Sequence, residues 1–347
     1  MRMVVFNKLR QATDWIRKKF TTKGLILMYH RVTEQEIDPW TMCVTSQHFA
    51  EQLATLQKEF NPISLRQLVQ AQKEGKIPER AVAVTFDDGY ADNLHNAKPL
   101  LEQYRIPATV FIANGHIGND REFWWDELER ILLQPGKLPE SLTLRINGKS
   151  FKWELGDNTG YGKNKHQRTN ENSGVVSCHE NYRLNRSLYF TIHQLLQPLT
   201  EVDQNKVIEE LLVWAGIKPV RRSTYRTLSV DELRTLSQGE FIEVGAHTVT
   251  HPLLSGLPES VQQDEVQRSK ITLEESIGQQ VRSFAYPYGS YTNETVAIIR
   301  KAGFDCACST TSDSVWRGND RFQLPRVTVE DWDGEEFKQR LLKWITC

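Results

Sequence analysis

No run of about 18 apolar residues occurs in the chain, so no segment reads as a membrane-spanning helix. No secretory leader is expected from the N-terminal residues either. The first apolar stretch, Met3–Phe6, is too short for an h-region, and Lys8 and Arg10 follow at once. This pattern leads to the expectation of a cytoplasmic protein. A basic excess is absent too: the net charge is −1, which argues against a nucleic-acid partner. Cysteine is sparse and scattered, at positions 43, 178, 306, 308 and 347. That spacing builds neither a disulfide framework nor a cysteine zinc site, and it suits a reducing compartment. Cys306 and Cys308 alternate along an apolar run and read as core packing. There is no internal repeat, and nothing in the pattern sets an oligomeric state. What remains is an ordinary globular composition, 39% hydrophobic and 25% charged over 347 residues.

Residues 1–23 are unusual in their charge. Phe6, Leu9, Ile16 and Phe20 fall near helical spacing, surrounded by Lys8, Arg10, Arg17, Lys18, Lys19 and Lys23, with Asp14 as the lone acid. Such a basic amphipathic helix suits peripheral contact with an anionic membrane surface. The competing reading is a helix packed on the domain with its basic side in water.

Downstream, short apolar runs alternate with helical spacing. Strands are expected at 24–30, 81–86, 108–113, 241–244, 282–286 and 304–309. Helices are expected at 46–58, 64–74, 91–104, 229–237, 258–277, 293–301 and 337–344. Ser229 and Glu232 form a capping-box pair. This alternation predicts an α/β fold of βα units around a mostly parallel sheet or barrel. The middle departs from it. A hairpin turning at Asn147-Gly148, a polar stretch over 156–185 and helices near 184–199 and 201–214 read as an insertion at about 136–215. The expectation is one domain over 24–347 carrying that insertion.

In such folds, active residues gather at the C-terminal ends of strands. His30, Asp87, Asp88 and His247 all stand there. Asp87-Asp88-Gly89 alone is an ordinary turn signal. His247 and His251, four apart, share one face if a single helical turn carries them, although Pro252 forbids a longer helix. The pair lacks the glutamate of the zincin pattern. Combined, one carboxylate and two imidazoles make a three-ligand set for a divalent metal. The second carboxylate is left to serve as a base. In an extended strand Asp87 and Asp88 point opposite ways, which divides the two tasks. The combination points to metal-assisted hydrolysis.

Thr85-Phe-Asp-Asp-Gly89 and His247-Thr-Val-Thr-His251, supported by Ala108-Thr-Val-Phe-Ile112 and Phe284-Ala-Tyr-Pro-Tyr-Gly289, resemble the polysaccharide deacetylases, the NodB-homology domain of carbohydrate esterase family 4. The likeness runs from about Gly24 to about Val329, interrupted by the insertion. It implies a distorted (β/α) barrel with fewer than eight strands. It also implies removal of acetyl groups from acetylated sugars, with Asp87 as general base. Asp88, His247 and His251 would then be ligands to zinc; cobalt, nickel or iron also suit that donor set. Two departures stand out. Where the family places an orienting arginine, this chain has Ala285, and Arg326 is the candidate replacement, against a reading as a surface arginine. The family's acid-bearing histidine near the C-terminus is also missing, and His30 is the candidate in its place. That arrangement resembles the circularly permuted branch, while a purely structural His30 is the alternative.

Tyr90, Tyr288 and Trp125 are candidates for the sugar platform. Trp124 and Trp125 cannot both face one way, so one of them is core. Asp126 reads as a helix cap, with substrate contact as the alternative, and Asp92, His95 and His116 read as solvated surface. The leading expectation is a metal-dependent N-deacetylase acting on a polysaccharide, oligosaccharide or carrier-linked sugar. A catalytically idle carbohydrate-binding protein and a deformylase or amidohydrolase are the alternatives.

Overall fold

A computed structural model describes residues 21–119, 121–134, 136–155 and 178–346. The basic segment 1–23, but for its last three residues, lies outside these, as does 156–177 of the polar stretch. The described residues form two compact units, one of residues 21–35, 41–119 and 227–346 and one of 36–40, 121–134, 136–155 and 178–226.

The first unit is built on a parallel sheet. Its strands are β1 (Leu25–Tyr29), β2 (Ala81–Phe86), β3 (Ala108–Ile112), β4 (Ile242–Ala246), β5 (Ser283–Ala285), β6 (Cys306–Cys308) and β7 (Val327–Thr328). They run in the order β6-β5-β4-β3-β2-β1-β7, with the two-residue strand Asn61–Pro62 beside the start of β2. The path therefore has seven strands, and each of its pairings is parallel. Just ahead of β7, Leu324 bridges Cys308 of β6, so the segment entering one edge strand also pairs with the other. This is the curled (β/α) architecture expected, with fewer than eight strands on the path.

Side chains alternate across a strand, and the two faces here have different contents. One set, including Leu25, Leu27, Val82, Val84, Val110, Val244 and Phe284, packs with helix residues such as Phe49, Leu53 and Leu273. The opposite set is smaller: Ile26, Ala83, Phe111, Ala285, Cys306, Cys308 and Leu324. Ala83, Ala285, Cys306 and Cys308 keep part of the inner face small, where a tightly curled sheet leaves little room. Leu65, Leu68 and Val69, on the helix Leu65–Glu74, pack with this inner set. That helix starts in a capping box between Ser64 and Gln67, and the helix Val230–Leu236 starts in the expected one between Ser229 and Glu232.

The helix expected at 91–104 begins instead as a π-helical turn, Asn93–Ala97, before Lys98–Tyr104. Pro99 has no N–H to give an α-helical ladder. Within the turn, the Asn93 and Asn96 side chains donate to the carbonyls of His30 and Val32, at 2.9 and 2.7 Å.

The second unit contains the helices Trp124–Leu132, Cys178–Leu196 and Glu201–Ala215 and an antiparallel hairpin of Ser141–Ile146 with Lys149–Glu154. Its turn has φ of 51° at Asn147 and 75° at Gly148, the left-handed pair a two-residue hairpin loop demands. Trp124, Leu128, Leu142, Leu144, Ile192 and Leu211 belong to its own buried cluster. The unit extends beyond the expected 136–215 at both ends. Arg222 accounts for the later boundary: its guanidinium bonds the Glu122 carboxylate at 2.7 Å and Glu129 at 3.0 Å. Among the described residues, no helix is long and apolar enough to cross a membrane.

Gly245 of β4 sits opposite Phe111 of β3, and a Cβ there would stand 2.4 Å from the Phe111 ring and 2.9 Å from Ser283 Oγ. Gly245→Ala is expected to lower stability by about 1–3 kcal/mol through overpacking. Adding Phe111→Leu should recover part of that loss. Urea unfolding of the three chains checks both.

Candidate active site

The inner-face alternation carries past the strand ends. Ile26 and Met28 lead to His30, Ala83 and Thr85 to Asp87, Gly245 to His247, and Leu324 to Arg326. Two-residue periodicity thus directs all four toward one mouth of the sheet.

Asp87 meets Arg326 there. The guanidinium grips the carboxylate with both ends, Nη1 to Oδ1 and Nη2 to Oδ2, each at 2.7 Å. Arg326 is itself held: Nε donates to the Ser309 carbonyl at 2.9 Å and Nη1 to Thr85 Oγ1 at 3.3 Å. It is 0% exposed and Asp87 3%, so this arginine is not on the surface. Burial pushes the Asp87 carboxyl up, but the charge of Arg326, with His247 and the hydrogen bonds, outweighs it and holds the group at about 2.

Asp88, His247 and His251 converge beside this pair, and all three are buried. The strand ends at Phe86, and Asp88 takes a φ of 75°. A left-handed turn, not strand alternation, therefore separates the two aspartates. The two histidines do not ride a helical turn either. Residues 247–251 form a bend with φ of 68° at Thr248 and 56° at His251. The His251 N–H donates to Thr248 Oγ1 at 3.0 Å. His247 Nδ1 lies 2.7 Å from the Ala285 carbonyl. A carbonyl only accepts, so Nδ1 carries the hydrogen and Nε2 presents its lone pair. Burial lowers the pKa of both rings, that of His251 strongly, and so favours the neutral form that ligates metals.

Donor spacing tests the fit to a metal. His251 Nε2 is 3.2 Å from His247 Nε2 and 3.4 Å from Asp88 Oδ1, and His247 Nε2 is 3.6 Å from the same oxygen. Donors about 2.0–2.1 Å from one ion at tetrahedral angles stand roughly 3.3 Å apart. The three residues fit.

His30 is half-buried, and its charge acts on both Asp87 and His251. Tyr288, with a φ of 56°, places its ring edge-on to His251 at 4.6 Å. Tyr90 corrects the expectation of a sugar platform: it is 2% exposed, and the Arg31 guanidinium covers its ring at 4.2 Å. Trp125 belongs to the second unit, where it stacks on Phe123 at 4.3 Å, while Trp124 is core. Asp126 does not cap its helix; Phe123 holds that position. Of the residues read as solvated surface, His95 is exposed, but His116 is buried and Asp92 pairs with Arg31 at 3.0 Å. Glu265 escapes sequence reasoning altogether. It accepts from the backbone of Val249 and Thr250 at 2.8 and 2.9 Å, and nothing in its amphipathic helix marks it out.

Replacing Arg326 leaves Asp87 a buried, unanswered charge. Arg326→Met is expected to cost about 3–5 kcal/mol at neutral pH, and much less in an Asp87→Asn background. The sign with pH follows from Asp87. A folded pKa below the unfolded value means that its stabilisation is whole above about 4 and is lost as pH falls toward 2. In Arg326→Met, burial without the arginine raises the Asp87 carboxyl, so the advantage of the native chain should begin to fade above about 4, at that raised pKa, and be smallest near 2. Denaturant unfolding at stepped pH measures it.

The family described as polysaccharide deacetylase matches residues 74–136 and 204–307. A poly-β-1,6-N-acetyl-D-glucosamine N-deacetylase of Staphylococcus aureus is 32% identical over 130 residues, covering 32% of this chain and 44% of that protein. The chain thus spans less than half the length of such relatives. A putative polysaccharide deacetylase of Bacillus subtilis is 20% identical over 327 residues, covering 94% of this chain and 78% of its own. Among solved structures, the Streptococcus pyogenes deacetylase PplD in complex with acetate superposes with a TM-score of 0.56 at 17% identity, covering 94% of this chain and 99% of that one. IcaB from Ammonifex degensii gives 0.56 at 18%, covering 94% and 98%. These likenesses establish the fold. Over the matched residues, which include both motifs, the chain is similar to the polysaccharide deacetylase family.

Proposed function

We propose that the chain hydrolyses the N-acetyl group of an acetylated sugar, releasing acetate and leaving a free amine. One observation carries this reading: an arginine-held carboxylate and an Asp-His-His donor set occupy adjacent places at the same mouth. The family match and the N-acetylglucosamine polymer named for the Staphylococcus aureus relative support the substrate class.

In this proposal Asp88, His247 and His251 hold the metal. Zinc suits two nitrogens and one oxygen at this spacing, and cobalt or nickel are alternatives. When bound, such an ion acidifies water and polarises the acetyl carbonyl. Asp87, ionised far below neutral pH, takes a proton from the attacking water. A carboxylate held near 2 is ionised throughout the neutral range and so has a lone pair free to accept that proton. Arg326 fixes the direction of that carboxylate. The water oxygen bonds to the acetyl carbon, and the carbon–nitrogen bond then breaks. His30 hands a proton to the departing nitrogen, since an amine leaves poorly without one. His30 just past the end of the first strand, which pairs with β2, supports the permuted arrangement. Tyr288, half-buried next to His251, is the aromatic placed to meet substrate. Cytoplasmic action, with residues 1–23 touching a membrane surface, completes the proposal; the scattered cysteines support the compartment.

Acetate release from N-acetylated oligosaccharides and nucleotide sugars tests this. Release should require added zinc, stop on chelation, and fall about 10²–10⁴-fold in Asp87→Asn and in His30→Ala. Formate from N-formyl analogues in place of acetate would reassign the acyl group. Zinc binding without release from any substrate would favour an idle carbohydrate-binding protein.

A further inference from the structure

The loop that carries both histidines is gripped from two sides by groups outside the motif. On one side stands Glu265, from the helix Glu259–Ile277. Its Oε2 accepts from the N–H groups of Val249 and Thr250 at 2.8 and 2.9 Å, and its Oε1 from Thr250 Oγ1 at 2.9 Å. On the other side is the turn Asn114–His116, just after β3. The Asn114 N–H donates to the Thr248 carbonyl at 3.3 Å and the Gly115 N–H to the Val249 carbonyl at 2.9 Å. The buried His116 ring hydrogen-bonds the Thr250 backbone. Gly115 has no spare room: a Cβ there would stand 2.7 Å from the Val249 carbonyl oxygen.

The loop needs such a grip. Thr248 and His251 both hold left-handed backbone, with φ of 68° and 56°. A β-branched threonine in that region costs of order 1–3 kcal/mol, and the conformation persists only where its surroundings over-determine it. The span between the two rings is three residues, and their bonds fix the path from His247 to His251. The 3.2 Å separation of the Nε2 atoms is set by that path.

We propose that Glu265 and the Asn114–His116 turn are positioning groups that clamp the 247–251 loop and so set the metal affinity of the site. This rests on the metal reading above. It assigns Glu265 a geometric task, not an electrostatic one. Both backbone N–H groups converge on a single oxygen, which the amide oxygen of glutamine reproduces. Thr250 Oγ1 can then turn to accept from the glutamine NH2. Glutamine should therefore serve and alanine should not.

The test is zinc affinity of the full chain, measured by competition with a chromophoric chelator, with thermal unfolding of the metal-free protein alongside. Glu265→Ala should bind zinc about 10–100-fold more weakly, the range for lost support of metal ligands. Glu265→Gln should stay close to the native chain. Gly115→Ala, which presses on the loop from the opposite side, should weaken zinc in the same direction, and it carries the test if Glu265→Ala does not fold. Native affinity in a folded Glu265→Ala or Gly115→Ala overturns the clamp. So does a Glu265→Gln as weak as Glu265→Ala, because charge would then be the cause. Asp88→Ala separates the two ideas: if it binds zinc like the native chain, the metal site itself is misassigned.

Discussion

An ionised carboxylate inside a curled sheet is tolerated only where its charge is answered on the spot. Asp87 meets that condition through one residue, Arg326, which returns two parallel bonds of 2.7 Å. Fork geometry matters as much as charge. A lysine in that place answers the charge but leaves the carboxylate free to rotate, and a base must keep its lone pairs aimed. The Nε donor of the guanidinium is tied to the Ser309 carbonyl and Nη1 also reaches Thr85 Oγ1, so the arginine is held in this orientation.

Arg326 also sits where the sheet's two edges meet. Leu324 bridges β6, and two residues beyond Arg326 the chain is paired with Met28 of β1. The last strand reaches that register only after passing the seam. Orientation of the carboxylate and closure of the seam therefore depend on the same few residues. The C-terminal strand is short, yet it fixes the site more firmly than its length suggests.

Much of this was legible in the sequence because it follows from two-residue periodicity. Short strands followed at once by His30, Asp87 and His247 announce a shared mouth once the sheet is parallel, and the hairpin turn at Asn147-Gly148 announces itself through two left-handed positions. Arg326 was legible only as a candidate. It is 239 residues from Asp87 along the chain, and nothing local separates it from a surface arginine. Tyr90 shows the reverse failure. Its place after Asp-Asp-Gly suggested an open ring, but Arg31, tied to Asp92, closes over it. Asp92 and His116 misled for one reason: polar residues in loops look solvated until the element that covers them is known. Glu265 lies 14 residues beyond His251 on a helix whose pattern serves packing, and its partners are backbone groups, which no residue pattern encodes.

The least legible feature is conformational. Asp88, Thr248, His251 and Tyr288 all take positive φ, and none is glycine. Left-handed backbone is unfavourable for such residues by roughly 1–2 kcal/mol each, so these loops would relax elsewhere if left alone. They are clustered at the mouth, where relaxed strand or helix geometry sends a side chain the wrong way. For Asp88 the pleat alone would point it opposite to Asp87; the left-handed turn brings it beside the histidines instead. For His251 a helical turn would place its ring over that of His247, but Pro252 forbids further turns, and the bend achieves the approach differently. The strain has to be balanced by bonds outside the loops themselves. The surrounding donors and acceptors are consequently part of the site in an energetic sense, although only a few residues at its centre carry chemistry. A donor set of one carboxylate and two imidazoles is common enough in sequences. What distinguishes this one is that the cost of bringing the three together is met by the barrel before any ion arrives.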